Sequence, residues 1–179
     1  MILLVGPSAS GKTEITKALK PLYGIVKAIT TTTRSPRVGE KNGVDYFYIS
    51  KEKFESLLKE DFFVEHTLYN GNLYGCGKDQ VAKNKCVALD PEGLKSFMKL
   101  NDPSIITFFL MCPEEKRRER MIKRGDNPEV IMQRLQGDAI TFKDIKTDFV
   151  IDSNNATVQE NAQEIFELYQ KELKARNLL

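Results

Sequence analysis

The sequence predicts an α/β fold of three layers, in which helices cover both faces of a parallel β-sheet. A short apolar segment at residues 2–5 is followed by a glycine-rich loop and by a helical segment at residues 13–20. Further apolar segments at residues 86–89, 105–111 and 149–151 alternate with helical ones. Such an alternation is typical of a parallel sheet, and the longest segment, 105–111, should lie in its interior.

Residues that usually end or begin helices mark several boundaries. The first helix should end near Pro21, and Pro113 should open a later one. A Thr-x-x-Glu pattern from Thr157 predicts a capping box for the last helix. Residues 25–33 are rich in β-branched side chains and predict one strand.

A segment of different character, residues 31–81, interrupts the alternation. It predicts short strands, a helix at residues 51–59 and a tight turn at Asn70 and Gly71. Ser50 is a suitable N-cap for that helix. We therefore expect a small, mostly-β lobe inserted into the core.

Composition narrows the class of protein. The chain has 179 residues, 41% hydrophobic, which fits one domain with a real core. A net charge of +2 favours neither nucleic acid nor membranes as partners. Three cysteines without a C-x-x-C pair suit a reducing, cytoplasmic location, and no segment approaches the ~20 apolar residues of a membrane span. A monomer and a homodimer are both compatible with these observations.

The glycine-rich loop at residues 6–13, here called the P-loop, is G-P-S-A-S-G-K-T and matches the pattern G-x-x-x-x-G-K-[ST] in full. Its glycines allow backbone N–H groups to face phosphate oxygens, and the following helix N-terminus adds a positive dipole. Lys12 can reach the β- and γ-phosphates of ATP, while the Thr13 hydroxyl can hold Mg²⁺. The predicted ATP contacts are Gly6, Ser8, Ala9, Ser10, Gly11, Lys12 and Thr13.

An acidic residue, Asp90, follows the strand at residues 86–89. It could complete the Mg²⁺ site with Thr13, through a metal-bound water. The alternative is a helix N-cap before Pro91, and one carboxylate could fill both roles.

Two arginines three residues apart, Arg34 and Arg37, flank a proline in a stiff cationic loop. Planar guanidinium groups suit a monophosphate dianion, and Tyr46 and Tyr74 could add phenolic donors. A solvated basic loop is the alternative, and this segment alone does not decide between them.

The order of these motifs resembles that of guanylate kinases. After the P-loop come T-T-R-S-P-R-V-G-E at residues 32–40, G-V-D-Y at 43–46, F-V-E at 63–65 and G-N-L-Y-G at 71–75. The similarity runs over nearly the whole chain. The arginine string also occurs in kinase-like domains of membrane-associated scaffolds, which bind partners without catalysis.

The resemblance implies which residues bind GMP. The two arginines and two tyrosines named above correspond to ligands of its phosphate. Glu65 corresponds to a carboxylate that accepts from the guanine N1–H and exocyclic amine, which would exclude adenine because its N1 is an acceptor. The implied GMP contacts are Thr30, Arg34, Arg37, Tyr46, Glu65, Tyr74, Cys76 and Asp90.

The resemblance also implies a mobile lid with catalytic arginines. Arg120 and Arg124 are four residues apart and should share one helix face. The neighbouring cations at positions 116–118 are expected to form a solvated face. The implied catalytic residues are Lys12, Arg34, Arg120, Arg124 and Arg134.

Several positions depart from the family pattern. Cys76 stands where a hydroxyl residue is usual, Ala88 replaces an acidic residue, and Glu92 replaces a glutamine. The lid is one residue shorter than expected, and D-S-N at residues 152–154 replaces V-N-D near the adenine pocket. These departures keep open an acceptor other than GMP.

The sequence therefore predicts an ATP:GMP phosphotransferase that uses Mg²⁺ and also accepts dGMP. An inactive binding module of the same fold and a kinase with another small phosphorylated acceptor are the alternatives. The expected division of the single domain is a P-loop kinase core at residues 1–30, 82–119 and 141–179, a GMP-binding lobe at 31–81 and a helical lid at 120–140.

Overall fold

A computed structural model describes residues 1–69 and 71–179 and contains two β-sheets. A five-stranded sheet has the order β2-β7-β1-β8-β9, and a four-stranded sheet has the order β4-β3-β6-β5. The strands are β1 (Ile2–Val5), β2 (Val26–Lys27), β3 (Thr31–Thr32), β4 (Phe47–Tyr48), β5 (Phe63–Tyr69), β6 (Asn72–Gly77), β7 (Lys85–Leu89), β8 (Ile106–Met111) and β9 (Phe149–Asp152). The α-helices are α1 (Lys12–Tyr23), α2 (Lys51–Lys59), α3 (Pro91–Met98), α4 (Glu114–Lys123), α5 (Pro128–Thr141) and α6 (Val158–Ala175).

The five-stranded sheet is parallel throughout, as predicted. β1 is at its centre, and β8 lies in the interior between β1 and β9. Val5, the last residue of β1, is in register with Leu89 of β7 and Phe109 of β8. The residues that follow β1 and β7 therefore meet at one edge of the sheet, which places the P-loop beside Asp90.

Helices cover both faces of this sheet and confirm the three-layer prediction. On one face, Ile2 and Leu4 pack in a buried cluster with α1 and α6, including Ile15 and Tyr169. On the other face, side chains of β1 and β7 pack against α3 in a second cluster. The alternation of side chains along β1 divides it between the two cores, and all of its residues are fully buried.

Two predicted boundaries are wrong. The first helix continues past Pro21 to Tyr23, because the residue that ends it is Gly24, in the left-handed conformation at φ 69°. Residues 25–33 form two short strands, β2 and β3, which belong to different sheets. The chain passes from one sheet to the other between them, a change of direction that β-propensity does not encode.

The strands of the predicted β-rich insertion form the four-stranded sheet. β6 pairs antiparallel with both β5 and β3. The N-cap prediction for α2 is confirmed, since the Ser50 side chain accepts from the Lys53 N–H. Gly71 has φ 75°, which suits the predicted turn, but Asn70 lies outside the described residues.

Helices α4 and α5, which contain most of the predicted lid at residues 120–140, pack on each other through Met121, Ile131 and Leu135, and Ala9 of the P-loop lies against this small cluster. These two helices are thus in contact with the P-loop. None of the described helices is both long and apolar enough to cross a membrane.

Candidate active site

The P-loop wraps around the end of β1 where space is tight. A Cβ atom on Gly6 would lie 2.8 Å from the Leu110 carbonyl oxygen and 2.9 Å from the Ser10 hydroxyl. Gly11, at φ 104°, is the residue immediately before α1. These positions need glycine, so that backbone N–H groups and the start of α1 face the same hollow.

The Lys12 ammonium lies folded over the P-loop. Its Nζ donates to the carbonyl of Gly6 and, at 2.9 Å, to that of Pro7. Burial lowers the pKa of Lys12 to about 8, with Asp138 acting in the opposite direction and Arg117 adding to the decrease. A lysine in this setting gains from a bound anion, which would restore the charge that burial disfavours.

A cavity of about 340 Å³ opens beside the P-loop. The predicted ATP residues Ala9, Ser10, Gly11, Lys12 and Thr13 all line it. Its other walls come from the end of α4, from the connection between β9 and α6 and from the start of α6. Their lining residues are Arg120, Arg124, Ser153, Ala156, Val158 and Asn161. The volume and the mixture of cations, apolar groups and backbone donors suit a nucleoside triphosphate.

The structure brings two of the three predicted lid arginines to this cavity. Arg120 donates to the carbonyls of Ala9, at 3.1 Å, and Ser153, at 2.7 Å, which joins α4 to both sides of the cavity. Arg124 also lines it, so the prediction that these two share a face is confirmed. Arg134 lies elsewhere on the lid, where it and Arg124 both pair with Asp126.

The predicted solvated face of α4 is correct for Lys116 and Arg118 and wrong for Arg117. The Arg117 side chain is 7% exposed and pairs with Asp138 of α5 at 2.9 Å. The same carboxylate accepts from the Ser8 backbone N–H at 2.8 Å. Helical spacing alone gives no indication of this pair, because α5 and the P-loop come together only in the tertiary structure.

A second hollow, here called the arginine pocket, lies on the four-stranded sheet. Its lining includes every predicted phosphate ligand of the acceptor: Arg34, Arg37, Tyr46 and Tyr74. Tyr46 and Tyr74 stand edge to face, with ring centroids 6.0 Å apart, and the Arg34 guanidinium carbon lies 5.4 Å from the Tyr46 ring centroid. Cations and phenols are therefore assembled on one surface.

Glu40 organises the arginine pocket. Both of its oxygens accept from Arg34 Nη2 at 2.9 Å, and it also accepts from the Arg37 N–H and the Tyr48 hydroxyl. These hydrogen bonds, led by the one from Arg34, lower the pKa of Glu40 to about 2. Glu40 was not among the predicted site residues, although its place in the arginine motif could have identified it.

Glu65 lies on β5 opposite Cys76 of β6. Burial, then the charge of Asp90, raises the pKa of Glu65, while the Cys76 N–H acts in the opposite direction. Cys76 itself is 1% exposed within the second core cluster, and Thr30 is half-buried between β2 and β3. The roles of these residues toward guanine stay predictions.

Asp90 is the N-cap of α3, where its carboxylate accepts from the Gly93 N–H at 2.7 Å. The capping alternative is therefore confirmed. The residue is exposed and lies near the P-loop, so its second oxygen is available for another contact. Among residues 1–69 and 71–179, no group of three His, Cys, Asp or Glu side chains could hold a metal by itself.

A P-loop between β1 and α1 of a parallel sheet, with a half-buried lysine and two arginines of α4 beside one cavity, defines a P-loop kinase. A solved gluconokinase structure from Sinorhizobium meliloti 1021 shares this fold, with a TM-score of 0.55 at 17% identity over 99% of this chain and 94% of that one.

The guanylate kinase family model matches residues 1–172. A guanylate kinase of Clostridium perfringens is 35% identical over 92% of this chain and 77% of its own length. The crystal structure of guanylate kinase from Anaplasma phagocytophilum has a TM-score of 0.64 at 26% identity and covers 100% of this chain and 95% of that one. The chain belongs to the guanylate kinase family and is a nucleotide kinase.

Proposed function

We propose that the protein transfers the γ-phosphoryl group of ATP to GMP, and likewise to dGMP. The reaction breaks the bond between the β–γ bridging oxygen and the γ-phosphorus and forms one from the acceptor phosphate oxygen, giving ADP and GDP. The observation that carries this proposal is the presence of two cation-lined hollows of different construction. The P-loop cavity suits a triphosphate, and the arginine pocket suits a monophosphate.

Each proposed role follows from the chemistry of the side chain. Lys12 and the P-loop N–H groups would hold the donor phosphates, and Arg120 and Arg124 would stabilise charge during transfer. In the arginine pocket, Arg34 and Arg37 would bind the acceptor phosphate once it competes with Glu40. Arg134 pairs with Asp126 in this structure, so it would join Arg120 and Arg124 only after the lid moves.

The acceptor base would be selected by Glu65. An ionised carboxylate accepts two hydrogen bonds from guanine but meets a lone pair on adenine N1. The raised pKa of Glu65 therefore predicts that acceptor affinity weakens as the pH falls through its titration. Asp90 contributes to this raised pKa, so it would tune the site even without touching the base.

A divalent cation fits the donor set at the P-loop edge. Mg²⁺ favours oxygen ligands and is usually held by one or two carboxylates together with substrate phosphates. Thr13 would hold it through its hydroxyl, and Asp90 through a water. The ion would shield phosphate charge. A reducing, cytoplasmic location is part of the same proposal, and the three free, buried cysteines support it.

The test is a panel of monophosphates assayed with ATP and Mg²⁺, with ADP and the product diphosphate quantified by chromatography. We expect GMP and dGMP to give the highest kcat/KM, above IMP, AMP and UMP. A faster reaction with AMP or UMP would overturn the assignment. Weak or absent ATP binding in a titration would instead favour the inactive binding module.

A further inference from the structure

The Asp138 carboxylate on α5 occupies donors that belong to the P-loop region. One of its oxygens accepts from the Ser8 backbone N–H at 2.8 Å and from Arg117 Nη1 at 2.9 Å. The Arg117 and Asp138 side chains are only 7% and 12% exposed. A lid residue is thus bonded to the loop that is built to hold phosphate.

The surroundings of this carboxylate are those of an anion site. A backbone N–H of the P-loop and a guanidinium converge on it, and the charge of Asp138 also acts on nearby Lys12. Carboxylate and phosphate oxygens compete for the same donors because both are anionic acceptors. The set is therefore complete for a phosphate oxygen once Asp138 leaves.

Arg117 is anchored to the core, independently of Asp138. Its Nε donates to the carbonyl of Cys112, the residue that follows β8, at 3.3 Å. Asp138 belongs to α5, the second lid helix. If α5 moves, Arg117 can stay beside the P-loop with one of its guanidinium nitrogens released.

From this geometry we propose that the Ser8 N–H and Arg117 form a further subsite for a phosphoryl group of the donor triphosphate, which Asp138 fills before ATP binds. The inference rests on the proposed role of ATP as donor. Binding exchanges one anion for another: the phosphate takes the two donors, and Asp138 is released with α5. ATP binding at the P-loop is thereby coupled to the position of the lid.

A purely structural ion pair predicts something different. Removing either partner of a nearly buried pair leaves the other uncompensated, so both single variants would lose stability in parallel. The proposed subsite predicts opposite effects on ATP affinity. Loss of the competing anion should strengthen ATP binding, whereas loss of the guanidinium should weaken it.

The experiment is calorimetric titration with Mg-ATP in the absence of GMP. We expect Asp138→Asn to tighten the Kd about tenfold and Arg117→Met to weaken it about tenfold, each corresponding to one charge-assisted hydrogen bond. The double variant R117M/D138L replaces the pair with apolar side chains, a change that proteins often tolerate. It should fold and bind ATP more tightly than the single Arg117 variant but more weakly than the single Asp138 variant, because the Ser8 N–H is released while the guanidinium is absent.

Asp148→Asn is the matched control. Asp148 also pairs with an arginine, Arg176, at 2.9 Å, but at the opposite end of the sheet, beside Thr107 at the start of β8. It should lower the melting temperature without changing the ATP Kd. The melting temperature of every variant is recorded alongside its Kd.

Two results would overturn the subsite: an Asp138→Asn variant that binds ATP no more tightly than wild type, or a double variant that binds ATP as tightly as the single Asp138 variant. Wild-type turnover of ATP and GMP alongside either result would leave the proposed function standing. Wild-type protein that binds no ATP would overturn both.

Discussion

The P-loop and the arginine pocket each have a carboxylate that accepts hydrogen bonds from nitrogen donors, but the separation between the carboxylate and its donors along the chain differs. In the arginine pocket, Arg34 and Glu40 are 6 residues apart. At the P-loop, Asp138 contacts Ser8 across 130 residues and Arg117 across 21. The contact in the arginine pocket is thus local, whereas the contacts of Asp138 depend on how α5 packs against the P-loop and α4. Residues of one short motif can be predicted to act together, whereas contacts between distant segments cannot.

The largest expected effect is a loss of turnover from a substitution in the P-loop, at Lys12. Lys12→Ala should lower kcat by about 10³-fold or more, because the charge that positions and stabilises the transferring phosphate is lost. The melting temperature should not fall, since burial disfavours the charged lysine in the folded state. Coupled-enzyme rates and thermal melts measure both.

Lys17→Ala serves as its control, because Lys17 lies on the same helix and pairs with Glu14 at the surface. Normal turnover by the Lys12 variant would contradict the donor site. A large loss of turnover in the Lys17 variant would show that changes elsewhere in α1 also lower the rate, so that the effect of Lys12→Ala could not be assigned to the P-loop.

On the acceptor side, Arg34→Ala should raise the KM for GMP about a hundredfold and leave ATP affinity unchanged. A fork of N–H donors to a dianion is removed, and Glu40 loses its main partner. Steady-state kinetics with each substrate varied in turn separates the two effects. Arg118→Ala, which removes an exposed i,i+4 ion pair, is the control. If the Arg34 variant lost ATP affinity as strongly as GMP affinity, that would count against two separate sites.

A smaller effect, the pH dependence of ligand affinity, distinguishes the P-loop from the arginine pocket. The Lys12 pKa is lowered to about 8, so the free protein loses this charge as the pH rises through that value. The ATP Kd should weaken up to about tenfold per pH unit above it, because each unit reduces the protonated fraction tenfold. GMP affinity should stay flat from about pH 7.5 to 9.5, since arginines remain charged.

Lys12→Arg sharpens this comparison, because arginine keeps its charge throughout the range. In this variant the pH dependence of ATP binding should disappear even if the affinity is lower. A persistent slope would assign the titration to another group.

Much of the fold was predictable because its signals are local. Apolar segments, the Ser50 N-cap and the capping box at Thr157 each depend on residues within one or two turns, and the structure confirms them. The end of α1 was missed because the helix continues through Pro21 and ends at Gly24. The division of residues 25–33 into two strands was missed because it depends on which sheet each half joins.

The candidate site divides in the same way. The P-loop residues that line the cavity, and the four predicted phosphate ligands that line the arginine pocket, all belong to motifs of fewer than ten residues. The carboxylates that pair with the nearby cations were not predicted. Glu40 lies within the arginine motif, which could have identified it, whereas Asp126 and Asp138 lie in the segment of α4 and α5, where composition indicates only surface charge. Arg117 was mistaken for a solvated residue because its partner is on another helix.

The most direct test of the central claim compares kcat/KM for GMP and AMP in wild type and in Glu65→Gln. Glutamine keeps one acceptor oxygen but adds an N–H donor, which opposes the guanine amine and can pair with adenine N1. We predict a strong wild-type preference for GMP that narrows about a hundredfold in the variant. An unchanged ratio, or a wild-type preference for AMP, would contradict the account.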